Sequence, residues 1–154
     1  MTLRHIALRE ISAEAFARWS PPQKVIVHEH ARRFGAIDLV KSGQSIAISW
    51  RSEIVEPVVV VGDQSDIWVG VDQRIACVRS DGSIVVSLGL ASSVLHLRYF
   101  SSGAVVLCET EAVVFNRDFS IRAIRGLGEL PCDVVARGGE RFVVFEDGSQ
   151  DCID

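Results

Sequence analysis

From Asp66 onward the chain alternates short apolar runs with brief polar breaks. Ile67-Trp68-Val69-Gly70-Val71 is apolar throughout, and Asp72-Gln73 interrupts it. Ile75–Val78 follows, then Ser80-Asp81-Gly82, then Ser83–Leu88 with apolar residues at alternate positions. A run with no polar face predicts a strand covered on both sides, whereas alternation predicts a strand with one wet face. The breaks "DQ", "SDG", "RDF" and "EDG" carry the residues that tight turns require.

The same pattern recurs at a shift of about 37 residues, a spacing typical of repeat architectures. "DIWVGVDQRIACVRSDGSI" (Asp66 to Ile84) lies over "GAVVLCETEAVVFNRDFSI" (Gly103 to Ile121), and "GAVVLCET" lies over "ERFVVFED". "LVKSGQSIAISW" (Leu39 to Trp50) matches "CVRSDGSIVVSL". The units expected are 30–65, 66–102, 103–138 and 139–154 within one domain, each of four short strands. Leu95 and Leu97 point inward on the fourth strand of the second unit, and burial falls from first strand to last. The expected fold is all-β, with about four antiparallel meanders in a small propeller-like arrangement. An open or sandwiched sheet is the alternative.

Two features precede the repeats. "SAEAFARWSPP" predicts one short helix with Ser12 as its cap, Phe16 and Trp19 on one face, and Pro21-Pro22 as its stop. "LRHIALRE" alternates as a strand would, and is expected to complete the unfinished last unit; "VIVHEH" offers another strand.

At "DIWVGVDQRIACVRSDGSIVVSL" the chain resembles the blade of quinoprotein-type β-propellers: apolar strand, Gly, acidic turn, apolar strand, Asp-Gly turn, strand. The likeness covers Asp66 to about Ala136 and, more loosely, Leu39–Gly62. It implies a ring of such blades. The docking Trp of those blades is present only as Trp50, with Leu88 and Arg125 at the matching positions.

Charge refines the functional expectation. Residues 1–34 hold six Lys/Arg against three Asp/Glu, and residues 35–154 hold ten against seventeen. An acidic body of net −7 is the opposite of a nucleic-acid-binding face. No apolar run approaches the roughly 20 residues of a membrane helix, so no membrane partner is expected. The N-terminal stretch lacks the apolar core of a signal peptide, so a cytoplasmic setting is expected. Cys77, Cys108, Cys132 and Cys152 are widely spaced and form no CxxC pair, which reads as reduced, buried thiols.

Candidate chemistry is sparse. His28 and His30 lie two apart and on a strand would face the same way, a weak metal pair needing His5 or Asp38 as a third ligand. No GxSxG, phosphate loop or cofactor motif occurs, so no catalytic residue and no cofactor is assigned. The repeat itself gathers carboxylates: Asp72, Glu109 with Glu111, and Glu146 with Asp147 occupy matching turns and so share one end of the fold. Lys41, Arg79 and Arg117 occupy the turns of the other end.

These observations favour a non-enzymatic protein-binding module that masks a basic protein, for instance an immunity-type inhibitor of a toxin. A small-molecule or cation binder, or an enzyme, with its site at the acidic end is the alternative. A homodimer paired edge to edge is the third reading.

Overall fold

A computed structural model describes residues 7–39 and 41–154. It is mostly β, in four sheets. The first holds β1 (Leu8–Ile11), β2 (Lys24–Ile26), β3 (Arg33–Asp38) and β4 (Ser45–Trp50), in the order β1-β3-β4-β2. The second is the meander β5 (Val58–Val61), β6 (Ile67–Val71), β7 (Arg74–Val78) and β8 (Ile84–Gly89). The third is the meander β9 (Val94–Phe100), β10 (Gly103–Cys108), β11 (Glu111–Phe115) and β12 (Ile121–Gly126). The fourth has three strands, β13 (Pro131–Arg137), β14 (Glu140–Phe145) and β15 (Gln150–Cys152). All pairings are antiparallel except β2 with β4.

The sheets stack in chain order, and alternation along each strand decides which neighbour a residue meets. Ile67, Val69 and Val71 pack back onto Ile37, Ile46, Ile48 and Trp50 of the first sheet. Trp68 on the same strand points forward, to Leu97, Ala104, Val106 and Phe115 of the third. Val105, Leu107 and Val114 in turn meet Val134, Val143 and Phe145 of the fourth. A strand between two sheets needs apolar residues at every position, which is why β6 and β10 are buried along their whole length. At about 25 cal/mol per Å², covering both faces of such strands is the main stabilising term.

Three sequence-based expectations are corrected. Residues 94–100 close no unit; they open the third sheet, pairing with β10 across Phe100–Gly103. The sheets therefore sit one strand earlier than the repeat units suggest, because the 90–93 connection crosses between sheets while the Ser101-Ser102 turn is a hairpin. Burial does not fall from first strand to last: it peaks in the two central strands, since β5 and β8 each lack a neighbour on one edge. Finally, Leu8–Ile11 pairs with β3 of the first sheet and does not complete the last, which is finished by Gln150–Cys152. Residues 1–6 of the expected N-terminal strand lie outside the described residues. Among the described residues no core joins the fourth sheet to the first, and the stack is open.

The helix forms as its sequence predicts. α1 (Ala13–Arg18) starts at Ser12, whose Oγ accepts from the Ala15 N–H at 3.1 Å, and a 3₁₀ turn over Pro21–Gln23 follows. Phe16 is buried with its ring centroid 5.0 Å from that of Phe34, so the helix covers the outer face of the first sheet. That cover explains why Ala47 and Ser49, on the polar side of β4, are buried as well. Cys77 and Cys108 are buried as expected, whereas Cys132 and Cys152 are exposed because both lie on edge strands of the last sheet. No helix among the described residues is long and apolar enough to cross a membrane.

Candidate functional site

The β6–β7, β10–β11 and β14–β15 turns fall at one end of the stack through strict alternation of strand direction. The ion contact between Arg122, at the start of β12, and Asp154, past the end of β15, fixes the same polarity for the fourth sheet. Asp72, Glu109, Glu111, Glu146 and Asp147 thus share an end, joined by Glu129 on the β12–β13 connection.

The individual carboxylates do different things. Asp72 has φ +49, and its Oδ2 accepts from the Arg51 N–H at 2.6 Å; its own carbonyl accepts from the Val94 N–H at 2.7 Å. It therefore clips three sheets together at their common end. Glu111 plays a matching part twenty residues after Ala91, whose N–H it accepts at 2.8 Å. Asp147 is folded into its own turn: Oδ1 accepts from the N–H and Oγ–H of Ser149 at 2.8 and 2.5 Å. The same arrangement holds Asp81 to Ser83 and Asp118 to Ser120, at the opposite end. In all three the serine hydroxyl and then the serine N–H hold the carboxyl below its usual range. The "EDG" turn thus shares an end with "DQ" and "ET" but the conformation of "SDG" and "RDF".

Glu109, Glu129 and Glu146 are exposed, and among the described residues their carboxylates join no ion pair and accept no hydrogen bond. At the other end Asp63 pairs with Arg117 at 3.4 Å and Asp154 with Arg141 at 2.6 Å, while Asp81, Asp118 and Glu140 join no ion pair among the described residues.

The metal-pair expectation fails. β2 stops at Ile26, Glu29-His30 forms a turn, and His30 has φ +53, so the two imidazoles do not share a strand face. The Nδ1 of His28 lies 2.6 Å from the Ser49 carbonyl, while Asp38 accepts from Ser45 Oγ and pairs with Arg9. His5 lies outside the described residues. Among the described residues no three His, Cys, Asp or Glu side chains gather as a metal site.

A cavity of about 340 Å³ opens at the acidic end where the first three sheets meet, lined by His28, Arg51, Ser52, Asp72, Gln73 and Ser93. Only Asp72 and His28 stand out in the sequence. Arg51, Ser52 and Ser93 lie in connections between sheets, with no local pattern to mark them.

No family model matches the chain, and no curated protein does. Among solved structures it is similar to a protein of unknown function from Bacteroides caccae, at 11% identity and a TM-score of 0.45. The match covers 72% of this chain and 47% of that one, so the chain spans about half that structure's length.

Proposed function

We propose that this chain is a non-enzymatic protein-binding module whose acidic end masks a basic protein. The observation that carries the reading is the gathering of Glu109, Glu129 and Glu146 at one end, exposed and joined to no cation among the described residues. Unmatched carboxylates on one rigid end repel one another and attract a cationic surface, raising the rate of encounter with a basic partner. Propeller-blade likeness enters only as scaffold, a stiff stack presenting turns. An immunity-type inhibitor of a basic toxin, such as a nuclease, is the concrete form of this proposal.

The test is retention of a partner from an extract of the source organism by immobilised chain. The expected result is a basic protein held at low salt and released at high salt. The combined change Glu109→Gln, Glu129→Gln and Glu146→Gln should weaken binding by about tenfold, at about 0.2–1 kcal/mol for each exposed pair. Nothing retained at low salt, or a partner indifferent to the triple change, overturns the proposal.

A further inference from the structure

The cavity beside Asp72 holds two opposite charges that are kept apart. Arg51 and Asp72 both line it, yet among the described residues neither enters an ion pair. Each is tethered by backbone. Arg51 donates its Nε to the Glu29 carbonyl at 2.6 Å, which fixes the guanidinium while leaving its terminal nitrogens without a partner. Asp72 spends Oδ2 on the Arg51 N–H, leaving Oδ1.

His28 forms part of the wall. Its Nδ1, 2.6 Å from the Ser49 carbonyl, must carry the hydrogen, because a carbonyl only accepts. In the neutral ring Nε2 is then an acceptor, and it is buried without a partner behind the cavity wall, out of reach of a ligand. Ser52, Gln73 and Ser93 supply neutral polar groups around these three.

We propose that this cavity binds a small zwitterion of the α-amino-acid class with a short polar side chain. The carboxylate faces Arg51, the ammonium faces Asp72 Oδ1, and the side chain meets Gln73 and Ser93. An ammonium offers only donors and a carboxylate only acceptors, so this ligand complements what the chain leaves unpaired. The site is separate from the masking surface, since it uses none of Glu109, Glu129 or Glu146.

The test is an NMR titration of the full chain, following the backbone amides of Arg51, Gln73 and Ser93. The probes are L-serine, ethanolamine, which lacks the carboxylate, and 3-hydroxypropionate, which lacks the ammonium. The expected result is saturable movement with L-serine and affinity at least tenfold weaker for both truncated probes. Asp72→Asn should weaken L-serine at least tenfold while the Arg51 amide keeps its position in the ligand-free protein. That variant retains the oxygen that accepts from Arg51, and Asn tolerates φ +49. No saturable movement with L-serine, equal affinity for 3-hydroxypropionate or ethanolamine, or an unaltered Asp72→Asn titration each overturns the proposal.

Discussion

Arg141 has 1% of its side chain exposed, an unusual depth for a guanidinium. Asp154 makes it tolerable, accepting from the Arg141 N–H and from Nη2, each at 2.6 Å, and from Nε at 3.1 Å, while Nη1 stays unpartnered. Removing one member of a buried pair strands the other, so Asp154→Ala should cost about 3–5 kcal/mol in urea unfolding. The Arg141 hydrogen bonds hold the Asp154 carboxyl below its usual range, against burial, which raises it. A depressed carboxyl stabilises the fold fully above its unfolded value, about 4, and loses that contribution as pH falls through the folded one. The stability gap between wild type and Asp154→Asn should be constant above about pH 5 and narrow below about pH 4. Asp66 is a second buried carboxylate, accepting from Trp68 Nε1 at 2.8 Å and from the Gln64 N–H at 3.2 Å. Asp66→Ala orphans the indole N–H and should cost about 1–3 kcal/mol, read as a lower urea midpoint. Elsewhere burial governs a thiol: it pushes Cys108 up to about 12, with Glu111 and Glu109 adding to the effect.

Among the elements, turns set the limits on substitution. Gly103 begins β10 at φ +131, and a Cβ there would sit 2.0 Å from the Phe115 carbonyl oxygen. Gly103→Ala should therefore cost about 2–4 kcal/mol, measured by thermal unfolding. The Asp-x-Ser turns place Gly82, Phe119 and Gly148 at matching positions, with φ of +91, +72 and +82. Phenylalanine is strained there, yet its ring lies 6.1 Å from that of Trp68 and takes Arg79 at 5.6 Å. Packing outweighs the strain of about 1–3 kcal/mol. Phe119→Gly should lower stability by about 1 kcal/mol; a rise in Tm would show that strain prevails. These strands and turns were legible residue by residue, since period-2 patterning and Asx-turn chemistry are local. The parallel pairing of β2 with β4 was not, because three residues carry too short a pattern to name their neighbour.

At the scale of the whole molecule, the stack is covered by α1 at its first face, whereas Val135, Phe142 and Val144 remain half-buried on the last sheet. Stability should grade accordingly. Amide hydrogen exchange is expected to be slowest in β6, β7, β10 and β11, which have a sheet on either side, and fastest in β12 and β15, which are exposed edges. Uniform protection across all four sheets would show that they unfold as one unit. The charge asymmetry also belongs here: the sequence assigns carboxylates to particular turns, and strand alternation alone carries them to one end.

What the amino-acid order determined by itself is everything set within a few residues: the apolar runs, the Asp-x-Ser turns, the Ser12 cap, and the acidic turns. Tertiary structure decided which sheet each strand joined, that Leu8–Ile11 served the first sheet, and that among the described residues no core joined the last sheet to the first. It also assembled the cavity, where His28, Arg51, Asp72 and Ser93 converge from segments about twenty residues apart. The reason is physical. Backbone dihedrals and side-chain alternation act locally, whereas strand partners are chosen by burial across sheets, and many registers satisfy the same alternation.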